Sequence, residues 1–79
     1  MASAIFNRMQ EELEVLYEEY TSLLQEFQRN GGPELFVELD ERLMRLSDRA
    51  YGLSRPEEKL GIQHGVDAIR DKIKSLLYS

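Results

Sequence analysis

A chain of 79 residues with 42% hydrophobic and 32% charged residues, no cysteine and a formal charge of −5 is too apolar and too regularly patterned for a disordered segment, and it makes one domain at most. Disulfides and cysteine-held zinc are excluded, so the roughly 3 to 5 kcal/mol that one small core supplies has to be secured by good helix packing or by another protein. Lys59, Arg70, Lys72 and Lys74 alternate with Glu58, Asp67 and Asp71 instead of clustering, which speaks against nucleic acid as a partner, and no apolar run nears the roughly 20 residues of a membrane span. The stretch "MASAIFNRMQEE" has neither the basic start nor the apolar middle of a secretory signal. The expectation is a protein made in the cytoplasm, without membrane insertion.

In the first segment, Phe6, Met9, Leu13, Leu16, Tyr20, Leu23 and Phe27 are spaced alternately three and four apart, a heptad seam that predicts a helix over about residues 3–29. Ile5, Tyr17 and Leu24 widen the stripe on one side beyond what a two-stranded coiled coil needs, which suits packing against two neighbours. "RNGGP" ends it. Asn30 and Gly31 accept the left-handed backbone of a helix terminus, and Pro33 fits the first turn of the next helix, where its missing N–H is no loss.

The second segment repeats the spacing with Phe36, Leu39, Leu43, Leu46, Ala50 and Leu53, flanked by Val37, Met44 and Tyr51, and predicts a helix over about residues 33–52. So short a connection makes the two helices an antiparallel αα-hairpin. In "YGLSRPEE", Gly52 is placed to end the helix with Leu53 folding back, Ser54 and Glu57 form a Ser-x-x-Glu capping box for a new start, and Pro56 reinforces the break. A single helix running from Pro33 to Tyr78 would carry Gly52 and Pro56 in its interior at roughly 4 kcal/mol, so a third helix over about residues 56–78 is expected instead.

That third segment carries Ile62, Val66, Ile69, Ile73 and Leu76 on one face, with Leu60 and Leu77 beside them. The fold expected is all-α, a single helical domain over residues 1–79: an αα-hairpin plus a third helix, making an up-down-up three-helix bundle with heptad-like packing. Spacing leaves open whether the third helix closes its own bundle or lies along a neighbouring subunit.

Gly61 and Gly65 stand one turn apart inside this helix, each costing on the order of 1 kcal/mol relative to Ala. With Ala68 they form a smooth strip beside the apolar seam, over which a second helix can approach closely. That second helix is either the first helix of the same chain, whose aromatic residues need room, or a second copy or other protein; a helix start frayed near Gly61 is the remaining reading.

Catalytic constellations are missing from the sequence. His64 is the only histidine, and with Asp67 and Asp71 it makes an incomplete metal set, lacking the Glu-x-x-His pairs of carboxylate-bridged di-iron bundles. Glu11/Glu12 and Glu18/Glu19 are expected on the solvated face, unlike the buried pairs of acid–base catalysis, and "NGGP" lacks the Lys and Ser/Thr of a phosphate-binding loop. The expectation is no enzyme, no catalytic, cofactor-binding or metal residues, no cofactor and no small-molecule substrate.

Tyr17, Tyr51 and Tyr78 sit on flanks or at an end, where an amphipathic ring covers the rim of a core or meets a partner. Together with Gly61, Gly65, Ala68 and Leu77 they are the candidate partner interface. Glu11, Glu14 and Glu18 form an acidic face on the first helix.

In "PEEKLGIQHGVDAIRDKIKSLL", Glu58, Leu60, Gly65, Ile69 and Leu76 resemble the last helix of short helical proteins encoded among the structural genes of tailed bacteriophages. The resemblance implies a virion or particle-assembly component present in many copies, cytoplasmic at synthesis and then virion-incorporated. There is also a similarity to the helical-hairpin co-chaperones of type III secretion needles, which mask a partner with two antiparallel helices. The expected function is thus a non-enzymatic assembly or interaction protein with protein partners, a homo- or hetero-oligomer. The first rival is an acidic inhibitor or nucleic-acid mimic working through Glu11, Glu14 and Glu18, and the second a small metal-dependent catalyst around His64.

Overall fold

Ser3 opens the first helix: its hydroxyl accepts the N–H of Phe6 at 3.0 Å, satisfying one of the amides a helix start leaves without a partner. The computed structural model describes residues 3–78, and its first helix, α1, spans Ala4–Asn30. At about 1.5 Å per residue this one element sets the molecule's length, which is 43 Å against 19 and 15 Å in the other two directions. The chain leaves α1 through two positive-φ glycines, Gly31 (φ 68°) and Gly32 (φ 99°), the only positive-φ residues among those described. Side chains there would be strained, which is why two glycines make this turn.

The second segment is less uniform than its spacing predicts. Pro33–Phe36 is a 3₁₀ turn, and the second helix, α2, runs Val37–Ala50. Pro33 donates no N–H, and Leu35 reaches back only three residues, to the Gly32 carbonyl at 3.2 Å, so the first turn winds tightly. The far end also tightens: Tyr51, Gly52 and Leu53 donate to the carbonyls of Asp48, Arg49 and Ala50 at 3.2, 3.0 and 3.0 Å. Gly52 does not have a positive φ, so this helix ends by three-residue bonding and not by the left-handed stop the sequence suggests. Leu53 does fold back, and it is buried.

The third helix, α3, spans Pro56–Tyr78. Its first bond runs from the Lys59 N–H to the Arg55 carbonyl at 3.1 Å, which puts Arg55 in the cap position, one residue beyond the Ser54 of the expected capping box. The acid three residues past that cap is then Glu58, not Glu57. Glu58 is buried, and its carboxylate accepts the N–H of Ser3 at 3.3 Å, tying the start of α1 to the start of α3.

All three seams turn inward. Met9, Leu16 and Tyr20 of α1, Phe36 beside Leu39, Leu43, Leu46 and Ala50 of α2, Leu53, and Ile62, Val66, Ile69 and Ile73 of α3 are buried in one core. Phe36 closes its hairpin end against Phe27 and Tyr20, with ring centroids 5.5 and 6.3 Å away. Two ion pairs fix the register of α1 on α2: Arg42 pairs with Glu19, and Arg49 donates to both oxygens of Glu12 at 2.8 and 3.2 Å. Rising numbers on one helix meet falling numbers on the other, so the two are antiparallel. Contacts of Ser3 with Glu58, Leu13 with the Gly65 position and Tyr17 with Lys72 rise together, so α3 is parallel to α1. Arg70 pairs with Asp40 at 2.8 Å and joins α3 to α2. The third helix packs on both others, giving the up-down-up three-helix bundle, with no strand among the described residues.

A candidate docking groove between the first and third helices

The three helix–helix seams differ in how they are closed. Ion pairs cross α1/α2 twice and α2/α3 once, whereas none crosses α1/α3 among the described residues. Along that third seam runs an open groove of about 450 Å³, walled by Leu13, Glu14, Tyr17 and Glu18 on α1 and by Gly65, Ala68, Ile69 and Lys72 on α3. The spacings explain the set. Leu13 and Tyr17 are one turn apart, as are Gly65 with Ile69 and Ala68 with Lys72, so each helix presents a continuous edge.

Gly65 is where a side chain of α1 meets the backbone of α3. A Cβ built there would overlap Leu13 Cδ2 and lie 3.5 Å from Leu13 Cγ. The missing side chain is thus replaced by Leu13 of the same chain, not by the larger aromatic residues that the sequence offered for the role. Gly61, one turn earlier, has nothing within 4 Å of its would-be Cβ, and Ala68 is exposed on the groove wall. The helix is already five residues old at Gly61, so no frayed start accounts for that glycine.

Tyr17 is 44% exposed. Its ring lies beside Tyr20, centroids 6.2 Å apart, and the Lys72 ammonium stands 5.1 Å from its centroid, a cation–π contact that spans the groove. Glu14 and Glu18 rise on the outer wall, whereas Glu11, one turn earlier, lines the hollow between α1 and α2 with Arg8 and Arg45. None of these three carboxylates has an ion-pair partner among the described residues. Their sequence neighbours behave differently. Glu12 and Glu19, expected to be merely solvated, are held by Arg49 and Arg42, because a rotation of 100° per residue turns them toward α2. The Arg42 guanidinium is held above its ordinary pKa by its hydrogen bond to Glu19, against the opposing effect of burial. The equal seven-residue spacing of Glu12/Glu19 and Arg42/Arg49 is the signal from which these pairs could have been found.

The remaining interface candidates lie elsewhere. Tyr51, 66% exposed, belongs to the outer face of α2, aligned at seven-residue spacing with exposed Met44 and Val37, and Lys59 Nζ is 6.0 Å from its ring. Leu77 is partly buried against the core, and Tyr78 is 84% exposed at the end of α3. His64, Asp67 and Asp71 are exposed; among the described residues no three His, Asp or Glu side chains gather into a group that could hold a metal ion. No helix among them is long and apolar enough to cross a membrane.

The structure therefore brings Tyr17, Gly65, Ala68, Glu14 and Glu18 into one groove and leaves Gly61, Glu11, Tyr51, Leu77 and Tyr78 outside its lining. An apolar floor with a charged edge suits the apolar face of another helix, whose polar edge stays wet. Compared with protein-family models, curated proteins and solved structures, the chain matches none.

Proposed function

We propose that this chain is a non-enzymatic helical assembly protein, a small structural or adaptor subunit present in many copies in a larger complex such as a phage particle. The observation that carries the reading is the α1/α3 groove, where half-exposed Tyr17 and small Ala68 border an apolar floor that lies open among the described residues. Large apolar side chains also stay exposed on all three helices, Tyr17, Met44 and Leu60 among them. The test is gel filtration of extracts of the source cells or particles, followed with an antibody. Elution far above the 9.2 kDa of the free chain, maintained in about 0.5 M salt, is the expected result. Elution as the free chain contradicts it.

The second reading, an acidic inhibitor or nucleic-acid mimic that blocks a basic site, is favoured by the exposed Glu11, Glu14 and Glu18, which have no ion-pair partner among the described residues. Salt separates the two. A complex held by those acids dissolves between low and moderate ionic strength, whereas one held by apolar contact persists.

A further inference from the structure

Resting on the assembly reading, we infer that the α1/α3 groove takes an amphipathic helix of a different protein, with its apolar seam on Leu13, Tyr17, Ala68 and Ile69 and with Lys or Arg side chains along the edge that faces Glu14 and Glu18. The shape of the groove restricts what enters. Gly65 is filled by Leu13, and the next position on that edge, Ala68, carries only a methyl group, so an incoming rod meets a low wall on α3. A helix lying along the groove seats the side chains of one face in it, and these supply the bulk that α3 lacks.

Charge restricts it further. Inside the bundle, acids of α1 and α2 meet arginines of the neighbouring helix: Glu12 with Arg49, Glu19 with Arg42, Asp40 with Arg70. On the groove side α1 sets out Glu14 and Glu18, one turn apart, while Glu11 lies toward α2 beside Arg8 and Arg45, and among the described residues no ion pair holds Glu14 or Glu18. Lys72, the one base of the groove, is turned over the Tyr17 ring. A helix lying alongside with a base every turn would pair with these two acids as α2 pairs with Glu12 and Glu19.

A second copy does not supply that edge. By sequence none of α1, α2 and α3 carries a net positive charge, and α2, the one helix with a base at three successive turns, has Arg42 and Arg49 engaged with α1 and Arg45 with Glu41. The occupant is accordingly a basic helix from another chain.

The test uses two labelled synthetic peptides of about three heptads, with Leu and Ala in the seam and either Lys or Glu along one edge, titrated with the protein and followed by fluorescence anisotropy. The Lys-edged peptide is expected to bind, and the Glu-edged one to bind at least roughly tenfold more weakly. Ala68→Glu, which puts a bulky charge on the low α3 wall where the apolar seam would lie, and the Glu14→Lys, Glu18→Lys double variant are each expected to weaken the Lys-edged peptide by at least roughly tenfold, with unchanged thermal melting because all three positions are exposed. Absence of binding, equal binding of the two peptides, or binding indifferent to Ala68→Glu overturns the inference. Failure here with the chain still eluting in a large complex removes only the groove assignment. A chain that binds the peptide yet elutes free in its own extracts keeps the groove and loses the multi-copy reading.

Discussion

Leu13 of α1 occupies the space that a side chain at Gly65 of α3 would take. Two glycines that look equivalent in the sequence are separated by this contact, because four residues turn a helix by about 400°, and the extra 40° swings Gly61 away from α1.

Opposite effects are therefore expected from substituting them. Gly61→Ala meets open space and gains helix propensity, which raises stability by about 0.5 to 1 kcal/mol. Gly65→Leu pushes α1 off α3 and lowers it by about 1 to 3 kcal/mol. Urea unfolding followed by circular dichroism measures both, and a Gly65→Leu midpoint above that of Gly61→Ala would contradict the packing described.

Phe36, 1% exposed and in contact with Phe27 and Tyr20, closes the hairpin end of the core. Phe36→Ala removes about 3 to 5 kcal/mol, as much as a small core supplies in total. Helical ellipticity without denaturant is expected to fall sharply. Ile5→Ala, at an exposed position, is expected to change stability by less than about 0.5 kcal/mol.

The Arg42/Glu19 pair has both side chains 39% exposed, so a double-mutant cycle to Ala should return a coupling of only about 0.2 to 1 kcal/mol, shrinking in high salt. Because folding raises the Arg42 pKa, the stability linked to its charge is fully present below its ordinary value and is lost only as pH rises through the raised one. Salt, and not mild alkali, is what weakens the coupling.

Glu58 joins the two helix starts through the N–H of Ser3. Glu58→Ala leaves that amide without its carboxylate and removes an acid from the first turn of α3, at a combined cost of about 1 to 3 kcal/mol. Faster hydrogen exchange at Ser3, with protection of Leu43 and Val66 reduced only in proportion to global stability, is the expected pattern.

What could be read from the residues alone was whatever depends on period and on strong breakers. The seams through Leu16, Leu43 and Val66 translate directly into buried faces, and "RNGGP" into a hairpin, since heptad spacing fixes which side of a helix is apolar wherever it packs. Features that depend on one element meeting another were not legible. Glu12 and Glu11 differ only by a rotation, and their fates diverge once the register of α1 on α2 is known. The offset of the α3 cap from Ser54 to Arg55, and the choice of Leu13 over an aromatic neighbour for Gly65, were likewise settled by packing. Of the candidate site, the residue types were legible, and the gathering of Tyr17, Ala68 and Glu14 in one groove was not, because it joins two elements some fifty residues apart in the chain.

The most direct measurement is an NMR titration of the isotope-labelled protein with the Lys-edged helical peptide. Amide shifts confined to Leu13, Glu14, Tyr17, Gly65, Ala68 and Lys72 are what a docking groove between α1 and α3 requires. Shifts centred instead on Val37 and Met44 of α2 and on Tyr51 just past its end, or a spectrum the peptide leaves unchanged, would contradict it.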